Sequence, residues 1–223
     1  MSKNIPPEIE LSIVGVVLGA TPHVPALLTP EFLKKNEIVP SEWVVQESMS
    51  SAHGPRSQIA YEDLFFQLDD DVLRVFEKCR PGFENNYDVF DVALRYLDKS
   101  SGSFHTVGLN MSMHILDDHP SEWIGDKFYK EQKLTCLPDT RVIETGFGFS
   151  LDAEHKDEQK NLFINFDSGS TTHLRQEAQQ AVIINAGVVL NSQNKPSLKE
   201  QITRWNDTHN LILNYVRTMV SEN

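Results

Sequence analysis

The C-terminal segment constrains the fold more than any other stretch. Leu198, Ile202, Trp205, Ile212, Val216 and Met219 recur along one side of a helix, giving a stripe about 36 Å long at about 1.5 Å per residue. Six such side chains contribute on the order of 9–18 kcal/mol when they leave water, so the helix has to dock on another element. Ser197, with Glu200 three residues later, reads as a capping box that starts it. His209 falls on the same stripe, and a neutral core histidine holding one hydrogen bond is favoured over a general base.

The surface it docks on is read from strand patterns. Leu11 to Leu18 is apolar on both sides, as a central strand is, and Thr29-Pro30 starts a short helix running to about Ile38. Trp43 to Glu47, Ile59 to Leu68 and Val72 to Phe76 read as strands, the last two as a hairpin. Phe83, Tyr87, Phe90, Leu94 and Leu97 then recur at helical spacing.

Beyond Ser100 the order restarts. Val107, Leu109, Met111, Met113 and Ile115 share one face of a strand, and Thr106, Asn110, Ser112 and His114 share the other, with His105 placed on the apolar side. Asp118 and Pro120 announce a short helix carrying Trp123, Ile124 and Phe128. Ile143 to Leu151, Leu162 to Phe166 and Val182 to Leu190 read as strands, with Asp152 to Lys160 and Ser168 to Gln180 as polar loops.

The expectation is an α+β fold with a duplicated β-α-β-β-β-α order, residues 1–100 and 101–223, packed as two domains or as one. Val14-Gly15 and Val107-Gly108 hold matching places in the two first strands. Antiparallel sheets backed by two longer helices and joined edge to edge resemble the saddle of TATA-binding-protein-type folds. The DNA-binding use of that saddle does not transfer, because it relies on basic residues and the net charge here is −12, with neither half basic.

That charge disfavours phosphate backbones and anionic membrane surfaces and favours protein partners, in a hetero- or homo-oligomer, or small ligands. Cys79 and Cys136 have no CxxC spacing, which argues against a zinc ribbon or disulfide framework and for a reducing compartment. The polar N-terminus lacks a signal-peptide core and no run reaches the roughly 20 apolar residues of a membrane span, so the expected location is the cytoplasm.

Candidate chemistry is sparse. Asp167-Ser168-Gly169-Ser170 is similar to the D-[ST]-G-[ST] turn of aspartic proteases, but only one copy is present, and a turn closing a strand is the favoured reading. His114, Asp117 and His119 form the one cluster suited to a divalent metal or to acid–base chemistry, weighed against Asp118 capping a solvated turn. No phosphate loop, GxSxG elbow or HExxH helix occurs, so no cofactor is expected. The polar row Thr106, Asn110, Ser112 and His114, continued by Asp117 and His119, is therefore the candidate surface for a ligand or partner.

The start Ile5-Pro6-Pro7-Glu8-Ile9-Glu10, the strand Val107-Gly108-Leu109-Asn110 and the ending Trp205-x-x-x-His209 with Leu211 and Ile212 together resemble a sporadically distributed, uncharacterised bacterial family. Its members begin PPxxE and end in a helix with an H-x-x-I pattern. The resemblance implies a non-enzymatic component of a mobile, antiphage gene cassette. The expected function is thus a binding or assembly protein. The alternatives are a small-molecule or metal-dependent enzyme using His114, Asp117 and His119, and a nucleic-acid-binding saddle.

Overall fold

Strands that are apolar on alternate residues pair into a sheet with one greasy face, and helices with one greasy stripe cover it. A computed structural model describes residues 7–21, 28–50, 56–69, 71–80, 87–128, 146–155, 158–172, 177–192 and 194–221. Over these residues the chain runs β1 (Glu10–Thr21), α1 (Pro30–Lys35), β2 (Glu47–Ser50), β3 (Arg56–Ala60), β4 (Leu64–Asp69), β5 (Val72–Lys78) and α2 (Asp88–Lys99). It continues with β6 (Ser103–Leu116), α3 (Pro120–Phe128), β7 (Gly146–His155), β8 (Glu158–Thr171), β9 (Gln179–Asn191), α4 (Lys195–Thr203) and α5 (Trp205–Ser221). Phe83, Cys136 and Ile143, Gly54-Pro55 and the start Ile5-Pro6 of the N-terminal pattern lie outside the described residues.

All nine strands form one antiparallel sheet in the order β2-β3-β4-β5-β1-β6-β9-β8-β7. The α+β expectation therefore holds, and the two first strands, β1 and β6, lie side by side. Val16 faces Leu109 at the middle of that pair, with Gly15 opposite Asn110 and Val17 opposite Gly108 on either side. The matched glycines thus sit diagonally across the central rung.

Beneath the helices, Val14, Val16, Leu18, Val107 and Leu109 are 0–4% exposed. α2 packs on β1 and β5, α4 on β6 and α5 on β6 and β9, while α3 covers β7, β8 and β9. The two longer helical segments meet through Trp205, whose ring stacks on Phe90 at 4.2 Å and lies edge-on to Tyr87 at 5.5 Å. α3 closes its end with Phe128 stacked on Phe147 at 4.3 Å.

Local details correct the sequence reading. Thr29 caps α1 as expected, its Oγ1 accepting from the Phe32 N–H at 3.1 Å, but the helix ends at Lys35. The strand expected over Trp43 to Glu47 starts only at Glu47, and Ile59 to Leu68 is not one strand: β3 ends at Ala60 and β4 begins at Leu64, giving the first half four strands after its helix. The run Asp152 to Lys160, read as a loop, instead carries β7 on to His155 and starts β8 at Glu158, with His155 opposite Glu158. Asp167 to Ser170 is no turn: it lies inside β8, with Asp167 opposite Ile183. The polar loop shrinks accordingly, as β8 reaches Thr171 and β9 starts at Gln179.

The C-terminal rod is two helices rather than one. α4 starts at Lys195 with Pro196 in its first turn and no side-chain cap, so Ser197 is inside the helix and the capping box does not form. The chain breaks at Arg204, whose guanidinium holds Asp207 at 3.0 Å, and α5 restarts at Trp205. Leu198, Ile202, Ile212 and Val216 are nevertheless fully buried, so the stripe docks as its periodicity requires.

Candidate functional site

The β1–β6 pair slips by one residue at each end, between Leu11 and Ile13 and between Gly19 and Ala20. A bulge of this kind re-aims the extra residue. At one end that residue is Ser12, whose Oγ lies 2.8 Å from His114 Nδ1. At the other it is His105, whose Nε2 lies 3.5 Å from Thr21 Oγ1 and whose Nδ1 lies 3.0 Å from Thr106 Oγ1. His105 is therefore exposed and not on the apolar side, contrary to the alternation read from sequence. Each end of the central ladder thus carries a hydroxyl–imidazole pair, with the hydroxyl on β1 and the imidazole on β6 at both ends.

The His114 end is the buried one. Its ring is 1% exposed and its Nε2 lies 3.5 Å from Glu10 Oε2. Glu10, His114 and Ser12 have the residue types of a nucleophile relay, yet a ring sealed to this degree offers a substrate no approach, and the group ties β1 to β6 across the bulge. The other two members of the expected cluster turn to local work. Asp117 Oδ1 accepts the His119 N–H at 2.7 Å at the entry to α3, so Asp117 rather than Asp118 makes the turn bond. Among the described residues, no three His, Cys, Asp or Glu side chains come together as a metal-holding group.

The rest of the polar row faces the side of the sheet opposite the helices. Thr106 donates to Asn191 Oδ1 at 2.9 Å. Asn110 and Ser112 line a groove of about 540 Å³ that reaches from β3 to β8 over the centre of the sheet. Its polar lining is amide: Gln58, Gln67, Asn110 and Asn185, with Ser112. Phe65, Phe76, Phe163, Ile13, Met111 and Ala186 supply the apolar part, and none of the described lining residues is charged.

Glycines let these side chains lie low. A Cβ on Gly187 would stand 2.5 Å from Asn110 Oδ1, 2.7 Å from the Leu109 carbonyl and 2.8 Å from Phe163 Cζ, and one on Gly15 would strike the Phe76 ring. Asn110 and Phe163 therefore occupy space that any other residue at 187 would fill. Pressed against the sheet, Asn110 Oδ1 is buried and has no hydrogen-bond partner among the described residues. A buried acceptor in that state costs about 1–3 kcal/mol.

Sequence reasoning found Asn110, Ser112 and their shared face. It missed Gln58, Gln67, Phe65 and Phe76, which belong to the other half of the chain and reach the groove only through the β1–β6 junction. Outside the groove, burial perturbs Cys79 and Glu77 among other described groups. Burial pushes the Cys79 thiol up to about 12, which leaves it un-ionised. Burial likewise pushes Glu77 up to about 7, against the lowering effect of the Val89 N–H at 2.8 Å that it accepts at the start of α2.

No protein-family model matches the chain, and no curated protein matches it. Fold and groove define it as an α+β protein with a nine-stranded antiparallel sheet, helices on one face and an amide- and aromatic-lined groove on the other. Among the described residues no helix is long and apolar enough to cross a membrane.

Proposed function

We propose that this is a non-enzymatic binding protein whose open sheet face takes an uncharged, hydrogen-bond-donating segment of a protein partner. Asn110 carries the reading: its half-buried amide lines the groove and its Oδ1 has no partner among the described residues, so turning the amide outward lets a donor brought in by the occupant satisfy it. The absence of charge from the lining selects against ionic ligands, which would be desolvated there with nothing to compensate them. Phe65, Phe76 and Phe163 then supply apolar burial beside the amides. The free, buried thiol of Cys79 suits a reducing compartment, and we place the protein in the cytoplasm. From the likeness of its N-terminal pattern and its Trp205–Ile212 segment to the sporadically distributed bacterial family, we extend the proposal to a subunit of a mobile antiphage system.

Affinity capture from the native host tests this with three variants. Wild type and Arg217→Ala, altered on the exposed side of α5, retain the same stoichiometric protein. Asn110→Leu and Phe163→Ala lose it by about tenfold or more, as deletion of one well-placed contact does. Equal recovery by all four proteins contradicts the proposal.

A nucleic-acid saddle is a second reading. The side-by-side placement of β1 and β6 and the three phenylalanines on the open face favour it, and the net charge of −12 weighs against it. Recovery of nucleic acid instead of protein in the same capture would select it.

A further inference from the structure

The groove on the open face has a direction. Register puts Phe65, Phe76, Gly15, Asn110, Gly187 and Phe163 on one rung that crosses β4, β5, β1, β6, β9 and β8 in turn. Glycines on both sides of Asn110 let its amide and the Phe76 and Phe163 rings lie low, so this rung is the floor of a trough running across the strands. Neighbouring strands stand about 4.8 Å apart, which makes the floor about 24 Å long from β4 to β8 and about 29 Å with Gln58 on β3. Spread over that length, the volume leaves a trough roughly 4–5 Å across, too narrow for a helix about 10–12 Å in diameter. An extended chain fits, and at about 3.4 Å per residue it fills the trough with about seven to nine residues.

The polar groups of the lining suit the same shape. Gln58, Asn110, Ser112 and Asn185 make no side-chain hydrogen bond among the described residues. Gln67 donates to Asp69 at 2.6 Å, which leaves its carbonyl as an acceptor. Each amide thus presents the groups of a peptide bond. A helix satisfies its own main chain, whereas an extended segment arrives with free N–H and C=O groups that such a lining can pair. Charge enters at the rim. Lys78 lies opposite Ile13 in the ladder, and its Nζ stands 5.0 Å from the centre of the Phe65 ring. It is exposed and forms no ion pair among the described residues, whereas Arg56 and Arg74 both hold Asp69. In a chain of net charge −12, an ammonium held unneutralised at the Phe65 end draws a carboxylate to that end.

We propose that the trough takes its protein partner as an extended, uncharged stretch of about seven to nine residues laid across the strands, with an acidic residue beside it at Lys78. The proposal rests on the reading of the open face as a protein-binding surface, and adds the conformation and charge pattern of what binds there. Two displayed libraries are panned against the full chain: random linear twelve-residue peptides, and random surface positions on a rigid helical scaffold. Linear binders with an uncharged core flanked by Asp or Glu are expected. Asn110→Leu, or N-methylation of the core peptide groups, should weaken the best of them about tenfold or more. Lys78→Glu is expected to weaken the acid-flanked peptide about threefold or more and to favour its Lys-flanked counterpart, a reversal that a misfolded groove could not produce. Helical binders that depend on Asn110, with no linear ones, overturn the extended segment and leave the open face as the recognition surface. Absence of any Asn110-dependent binder from either library overturns the proposal, and unchanged partner capture by Asn110→Leu then removes the reading beneath it as well. Acid-flanked peptides indifferent to Lys78→Glu overturn the charge pattern.

Discussion

On the face beneath the helices, Val14, Val16, Leu18 and Val107 are completely buried, whereas on the other side of the same strands Ile13 is 36% exposed and Asn110 and Ser112 are half-buried beside glycines. One face is filled by branched apolar side chains that interlock with α2, α4 and α5. The other is built from glycines overlaid by amides and phenyl rings, which fill less space and leave Asn110 Oδ1 unsatisfied. The contrast teaches that stability and recognition are separated by a single residue step along β1 and β6. Substitutions at adjacent positions should therefore have unlike consequences.

The largest expected effect is on the covered face. Leu109→Ala removes a side chain 4% exposed at the central rung and is expected to cost about 2–5 kcal/mol, read from the denaturant midpoint. Asn110→Leu, one residue away, is expected to cost no stability and to gain up to about 1–3 kcal/mol, because it removes a buried acceptor that has no partner to lose. Similar losses for both would break the comparison.

A smaller effect sharpens it through pH. Glu77 lies on the covered face opposite Val14, and its carboxyl is raised from the ordinary 4.5 to about 7, first by burial and then by Asp88. The folded state holds that proton more tightly than the unfolded chain, so the contribution is complete below pH 4.5 and is lost as pH rises through about 7. The thermal midpoint is expected to fall between pH 5 and pH 8, and Glu77→Gln, which keeps an acceptor for Val89, should flatten most of that fall. An unchanged slope would show that another group sets it.

The periodic elements were legible in the sequence because burial imposes periodicity. The stripe from Leu198 to Val216, the alternation from Val107 to Ile115 and the Thr29 cap all occur where the residues place them. The break at Arg204 was not, since an ion pair with Asp207 and the stacking of Trp205 on Phe90 are tertiary events. His105 was misplaced for a similar reason: a bulge depends on the partner strand, and β1 is far away in sequence. Half of the groove was legible as the polar row on β6. The other half comes from Gln58, Phe65, Gln67 and Phe76, and nothing in their local pattern shows that β1 carries them to the edge of β6.

The claim that the open face is the recognition surface is tested most directly by site-specific photocrosslinking. A benzophenone side chain placed at Gln58, an exposed position on the groove, is compared with one at Arg217, exposed on α5. The account predicts that the captured partner crosslinks from position 58 and not from 217. Crosslinking from 217 alone would place recognition on the helical layer and contradict it.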